Sequence, residues 1–166
     1  FSAAAKGTFF LDEIGETTAA TQVKLLRVLQ HREVIPVGAT EAQPIDTRLL
    51  AATNRDLEEE IRRGGFRRDL YYRLNVIAIY LPPLRERRDD IPLLAGAFLD
   101  RAGTARGETP KRLSETAQDA MMSYSWPGNV RELENALERA VILTPGEVLE
   151  LDALPERITT PDPVKL

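Results

Sequence analysis

The chain has 166 residues, 43% hydrophobic and 29% charged, with a formal net charge of −4 at pH 7, which suits one domain or two small lobes able to bury a core. The acidic balance excludes a basic nucleic-acid surface across the whole chain and leaves only local arginine clusters. The absence of cysteine excludes disulfides and thiolate metal sites and fits a reducing, cytoplasmic setting; no apolar run approaches a membrane span and no signal peptide is visible.

In chain order, residues 1–6 carry little information, and with Phe1 first the chain is expected to be a piece of something longer. Gly7-Thr8-Phe9-Phe10-Leu11-Asp12-Glu13 follows. Its apolar core is too brief for a helix and too apolar for a solvated edge, so it predicts a strand buried on both faces of a parallel sheet. The strand stops at two carboxylates, where open α/β sheets gather their working groups. Asp12 is placed to hold Mg²⁺ and Glu13 to orient a water, a Walker B pattern. The same pattern also fits a strand followed by a helix-capping turn.

Gly15 marks the turn out. Residues 18–30 carry Val23, Leu25, Leu26, Val28 and Leu29 at helical spacing, with Thr17 or Thr18 as cap. His31, the single histidine, falls at the helix end and is assigned no role. Residues 33–37 predict a strand, Gly38-Ala39-Thr40 a turn, and residues 41–45 a return strand that makes a projecting hairpin.

Thr47-Arg48-Leu49-Leu50-Ala51-Ala52-Thr53-Asn54 is a second apolar run closing on a polar residue, after a connection long enough for a right-handed crossover. Asn54 then lies beside Asp12. A metal ligand, a water-activating acid and an amide would share one sheet edge, where a nucleotide γ-phosphate could be sensed. Capping of the helix near Asp56 is the simpler role for Asn54, but it does not account for the pairing.

Residues 56–63 predict a short polar helix ended by Gly64-Gly65. In residues 66–74, Phe66, Leu70 and Leu74 share one helical face and the arginines occupy the others. Residues 76–81 predict another apolar strand, stopped by Pro82-Pro83. Residues 82–91 form a rigid charged connector, the best lobe boundary. Beyond it there is no strand signal: a helix over 91–105, a loop over 103–112, a helix capped by Ser114 and running to Tyr124, a turn at Trp126-Pro127-Gly128-Asn129, and a helix with Val130, Leu133, Leu137, Ala140 and Val141 on its apolar face. Residues 159–166, with Pro161 and Pro163, predict an exit linker.

Three arginines stand out. Arg67 and Arg73 flank the helix after the Asn54 strand, and Arg131 opens the last long helix. A guanidinium offers a planar fork of donors suited to the charge on a phosphoryl group in transfer, although a single helical arginine is more often solvated.

Five stretches together resemble, in order, signatures of the AAA+ domain of NtrC-like sigma-54-dependent bacterial transcriptional activators. They are Gly7-Thr8-Phe9-Phe10-Leu11-Asp12-Glu13-Ile14, Arg48-Leu49-Leu50-Ala51-Ala52-Thr53-Asn54, Phe66-Arg67-Arg68-Asp69-Leu70-Tyr71-Tyr72-Arg73-Leu74-Asn75, Leu81-Pro82-Pro83-Leu84-Arg85-Glu86-Arg87 and Trp126-Pro127-Gly128-Asn129-Val130-Arg131-Glu132-Leu133. The resemblance implies an α/β fold: part of an AAA+ P-loop-type parallel sheet with flanking helices over residues 1–84, a small all-helical lid over 85–158, and a linker over 159–166.

It also implies roles. Asp12 matches the acid that holds Mg²⁺ with ATP, Glu13 the acid that polarises the attacking water, and Asn54 the first sensor. Arg67 and Arg73 match the arginine-finger region, which serves the neighbouring subunit's nucleotide. Arg131, with Asn129 beside it, matches the second sensor on the lid, and residues 33–45 the insertion hairpin. Arg85 and Arg87 are expected only to brace the connector. The implied partners are further copies of the chain in a hexameric or heptameric ring and the sigma-54 RNA polymerase holoenzyme. DNA is reached through a separate C-terminal helix-turn-helix domain, often within a two-component system, and no membrane is involved.

Two departures matter. No Gly-x-x-x-x-Gly-Lys-Ser/Thr occurs, so the phosphates lack their backbone cradle and lysine, and the Gly-Ala-Phe-Thr-Gly-Ala loop that touches the sigma factor is absent too. Both are expected upstream of Phe1. The chain is therefore expected to be the C-terminal two thirds of such a domain, inactive alone, with a hole between the Asn54 strand and the strand at Val76. The competing expectation is a non-catalytic assembly module that keeps the fold; DNA binding through the lid is disfavoured by the acidic charge.

Overall fold

The computed structural model describes residues 4–36 and 38–160. The chain divides into two compact units, Phe1–Ile79 and Tyr80–Leu166. The expectations placed on residues 1–3, on Val37 and on the linker residues 161–166 lie outside the described residues.

In the first unit, β1 (Thr8–Leu11) leads through a 3₁₀ turn (Ile14–Glu16) into α1 (Ala19–His31). Thr18 caps α1, its side chain accepting from the Thr21 N–H. At the other end Arg32 takes a left-handed conformation (φ 52°) and returns its N–H to the Val28 carbonyl. A short hairpin, β2 (Glu33–Val34) with β3 (Gln43–Pro44), pairs antiparallel, with Glu33 opposite Pro44. It is shorter than the sequence predicts. β4 (Arg48–Ala51) then lies parallel to β1, with Thr8 opposite Arg48 and Leu11 opposite Ala51. α2 (Leu57–Arg62) and α3 (Arg68–Leu74) complete the unit.

The core of this unit is Ile14, Leu25, Leu26, Phe66 and Leu70, with Leu11 packed against it. At its centre Gln22 is 1% exposed and fully partnered. Its Nε2 donates to the carbonyls of Thr17 (2.9 Å) and Gly65 (3.0 Å), and its Oε1 accepts from the Arg67 N–H at 2.9 Å.

Two expectations fail here. β1 is not buried on both faces: the side bearing Leu11 is covered, whereas Phe10 and its cross-strand partner Leu50 are 58% and 44% exposed. Among the described residues the sheet has two strands and is layered on one side. Residues 76–81 form no strand. A strand exists only through a hydrogen-bonded neighbour, and among the described residues none pairs with this segment; the intervening strand that the resemblance calls for is not among the 166 residues. Its side chains stand in solvent, from 76% exposed at Tyr80 to 84% at Ile77.

The second unit is helical. A 3₁₀ turn (Leu84–Glu86) precedes α4 (Asp90–Arg106), α5 (Glu115–Ser123), α6 (Asn129–Leu143), a 3₁₀ turn (Leu151–Ala153) and α7 (Glu156–Thr159). Gly96 sits in α4 without interrupting it. Ser114 caps α5, accepting from the Ala117 N–H at 3.3 Å. The buried face of α6 is Leu133, Ala136, Leu137, Ala140 and Val141, packed with Ile91, Ala95 and Leu99 of α4 and with Trp126. The sequence gives no hint of β5 (Arg112–Leu113) and β6 (Val148–Leu149), which pair in parallel. Two residues are too few for an alternation to register. Among the described residues no helix is long and apolar enough to cross a membrane.

Candidate functional site

Parallel pairing of β1 and β4 brings their carboxyl ends to one rim. The ladder continues past both strands: the Ala52 N–H donates to the Leu11 carbonyl (2.8 Å) and the Ile14 N–H to the Ala52 carbonyl (3.0 Å). Asp12, Glu13 and Asn54 are therefore carried on neighbouring loops, and all three are exposed. Glu13 takes a left-handed conformation (φ 51°, ψ 43°), uncommon for a residue with a Cβ, and its N–H donates to Asp12 Oδ1 at 2.9 Å. Asn54 does not cap α2. Asp56 does, accepting from the N–H groups of Glu58 (2.9 Å) and Glu59 (3.0 Å), which leaves the Asn54 amide without a hydrogen bond among the described residues.

Sequence reasoning missed what joins the two loops. The guanidinium of Arg55 forks onto Glu16, Nε to Oε1 at 2.7 Å and Nη2 to Oε2 at 2.6 Å, while its backbone N–H donates to Thr53 Oγ1 at 3.1 Å. Gly15 lies between them. A Cβ there would stand 2.8 Å from Thr53 Oγ1 and 3.3 Å from Arg55 Cβ, so only glycine permits this approach. The opposite charges of Glu16 and Arg55, each just beyond a rim residue, were the available signal.

Among the described residues no group of three or more His, Asp or Glu side chains could hold a metal. The donor set does fit Mg²⁺ shared with phosphates, because such ions take one or two carboxylates and fill the remaining positions with phosphate oxygens and water. Asp12 gives one oxygen to the Glu13 N–H and keeps the other open.

The arginines are placed differently from one another. Arg67, at the N-cap of α3, forks onto Asp69, Nε to Oδ1 at 3.0 Å and Nη2 to Oδ2 at 2.7 Å. This hydrogen bonding holds the Asp69 carboxyl below the usual carboxylate range and raises Arg67. Arg73, in the last turn of α3, is exposed and has no ion pair among the described residues.

In the second unit Arg131 is exposed on the first turn of α6. Asn129 is occupied: its Oδ1 accepts from the Leu84 N–H at 2.8 Å. Glu132 ties the helix start, accepting from the N–H of Gly128 (2.8 Å) and from the Tyr124 hydroxyl (3.2 Å). Arg85 and Arg87 face acids of their own segment, Glu86 at 3.9 Å and Asp90 at 3.6 Å.

A strand–helix–strand unit with acids and an amide on one rim, followed by a helical unit, is the plan of an AAA+ α/β fold with its lid. Residues 1–80 match the sigma-54 interaction domain and residues 85–165 the AAA+ ATPase lid domain, so the chain belongs to the sigma-54 interaction family of AAA+ proteins. It is 53% identical over 159 residues to the transcriptional regulatory protein ZraR of Escherichia coli K12, covering 95% of this chain and 36% of ZraR. To the Nif-specific regulatory protein of Klebsiella pneumoniae it is 52% identical over 154 residues, covering 93% and 29%. The crystal structure of NtrX from Brucella abortus in complex with ADP superposes with a TM-score of 0.89 at 37% identity, covering 96% of this chain and 37% of that one, and the same protein in complex with ATP gives the same score. The chain thus spans about a third of the length of the relatives it matches.

Proposed function

We propose that this chain is part of a cytoplasmic sigma-54-dependent transcriptional activator whose ring of AAA+ domains hydrolyses ATP to remodel a promoter-bound sigma-54 RNA polymerase. The observation that carries the proposal is the shared rim of β1 and β4, which sets two carboxylates and an unpartnered amide side by side. ATP with Mg²⁺ would supply the phosphoryl group to be transferred and the cation that neutralises its charge. Asp12 holds the ion through its open oxygen, Glu13 orients the attacking water, and Asn54 contacts the γ-phosphate. Arg67 and Arg73 reach the nucleotide of the adjacent subunit in a hexamer or heptamer. Arg131 meets the nucleotide from the lid, and Asn129 contributes by pinning the turn at Leu84 to the start of α6.

The 166 residues contain no P-loop, so these groups lack the cradle that positions the phosphates and the chain alone is inactive. DNA contact and signal reception, as in a two-component system, belong to other domains of a longer protein. In a longer protein that carries this segment together with a P-loop, Arg73→Ala should abolish ATP hydrolysis while leaving nucleotide affinity within about twofold, because the finger contacts charge that develops in transfer. Loss of affinity with turnover intact would refute the role.

A further inference from the structure

Glu16 and Arg55 join the two rim loops right beside the residues proposed for the chemistry. Glu16 hangs from Glu13: its N–H donates to the Glu13 carbonyl at 2.9 Å. Arg55 directly follows Asn54, and its own N–H is turned back onto Thr53 Oγ1. The two-pronged fork between the side chains therefore closes a circuit that runs from Glu13 through Glu16 and Arg55 to Asn54. A third contact steadies it, because Arg55 Nη1 reaches Glu60 Oε2 of α2 at 3.4 Å and the Glu60 side chain is only 19% exposed.

The fork itself stands half in water, its side chains 40% exposed at Arg55 and 48% at Glu16. A pair so open to solvent adds little to stability. What a bidentate pair supplies is direction, since two parallel N–H···O bonds fix the planes of both groups. Direction is needed here for two reasons. Glu13 sits in the left-handed region (φ 51°), a conformation kept only where surrounding contacts over-determine it. The backbone ladder also stops short of the sensor: its last bond across the rim, from the Ile14 N–H to the Ala52 carbonyl, lies two residues before Asn54. Among the described residues no other side-chain hydrogen bond crosses between the two loops.

We infer that Glu16 and Arg55 are positioning residues for the proposed ATP hydrolysis, holding the Asn54 amide in register with the Glu13 carboxylate. The inference rests on the reading of the rim given above and extends it to a pair that acts through its neighbours. Phosphoryl transfer is sensitive to placement on the scale of an ångström. Loss of the fork should therefore slow turnover far more than it lowers stability or nucleotide affinity.

The test is a double-mutant cycle in a longer protein that carries this segment together with a P-loop, read as kcat, KM for ATP and melting temperature. Glu16→Gln and Arg55→Met should each lower kcat about tenfold, with KM within about twofold and the melting temperature nearly unchanged. The double variant should lose no more than about twofold beyond the worse single variant, because both substitutions break one fork. Arg55→Lys keeps the charge without the planar fork and should fall between wild type and Arg55→Met. Arg62→Gln, which breaks an ion pair within α2, should leave kcat within about twofold. Glu13→Gln separates the two readings. If it abolishes turnover while Glu16→Gln and Arg55→Met behave as wild type, the rim stands and the positioning role falls; if Glu13→Gln itself turns over normally, both fall. Losses that multiply in the double variant, a raised KM with kcat intact, or Arg62→Gln as damaging as Arg55→Met would each overturn the proposal.

Discussion

Gln22 shows how one side chain sets the position of a candidate functional group 45 residues away. Its amide satisfies the Gly65 carbonyl and the Arg67 N–H, so the start of α3 is fixed to α1 by a buried polar contact. Gln22→Ala should destabilise the first unit by about 1–3 kcal/mol, the usual penalty for leaving buried partners unmatched, as read from urea unfolding. Asp69 acts on the same arginine from outside. Its carboxyl is held below the usual range by Arg67, so the pair's contribution is full above that range and is lost as pH falls through the lowered value. Melting temperatures of the wild type and Asp69→Asn should therefore differ slightly at neutral pH and converge in strong acid; a difference that grows in acid would contradict the pairing. The sequence singled out Arg67 for its charge. It could not show that a carboxylate two residues on already engages that charge, because whether neighbours meet depends on the turn at the N-cap.

Among the elements, the helices were legible wherever an apolar face recurred with a cap, as in α1 with Thr18 and α5 with Ser114. The Trp126-Pro127-Gly128-Asn129 stretch was read as a turn, and the structure gives it a larger share of the packing. Trp126 is fully buried with φ 51°, its Nε1 donating to the Met121 carbonyl at 2.8 Å and its ring edge-on to Tyr124 at 5.1 Å. Trp126→Ala should cost about 3–5 kcal/mol in the second unit, measured by chemical denaturation followed by circular dichroism. Residues 76–81 were misread for a general reason: composition reports that a segment would fit a sheet, not that a neighbouring strand is present to receive it.

For the molecule as a whole, the exposed apolar surface is the most consequential property. Val76, Ile77, Ile79, Tyr80 and Leu81 are all more than three-quarters exposed, as one run of chain. Such a run is unusual on a protein that stays alone in water and favours edge pairing between copies. The isolated chain should bind a hydrophobic dye and scatter light increasingly with concentration, and Ile77→Lys with Ile79→Lys should suppress both. The rim site was foreseeable because a parallel pair joined by a crossover sends both carboxyl ends the same way.

The small parallel contact of β5 with β6 reaches further than its size. It fastens residues 112–113 to 148–149, and Lys111 Nζ gathers the carbonyls of Thr144 and Gly146 beside it. The 34 residues between Leu113 and Leu149's neighbour Val148 are thereby drawn into a closed ring, like cloth gathered by a drawstring. α5 and α6 are thereby tethered at the outer ends of the segment that holds them, and hydrogen exchange should show their inner turns opening together.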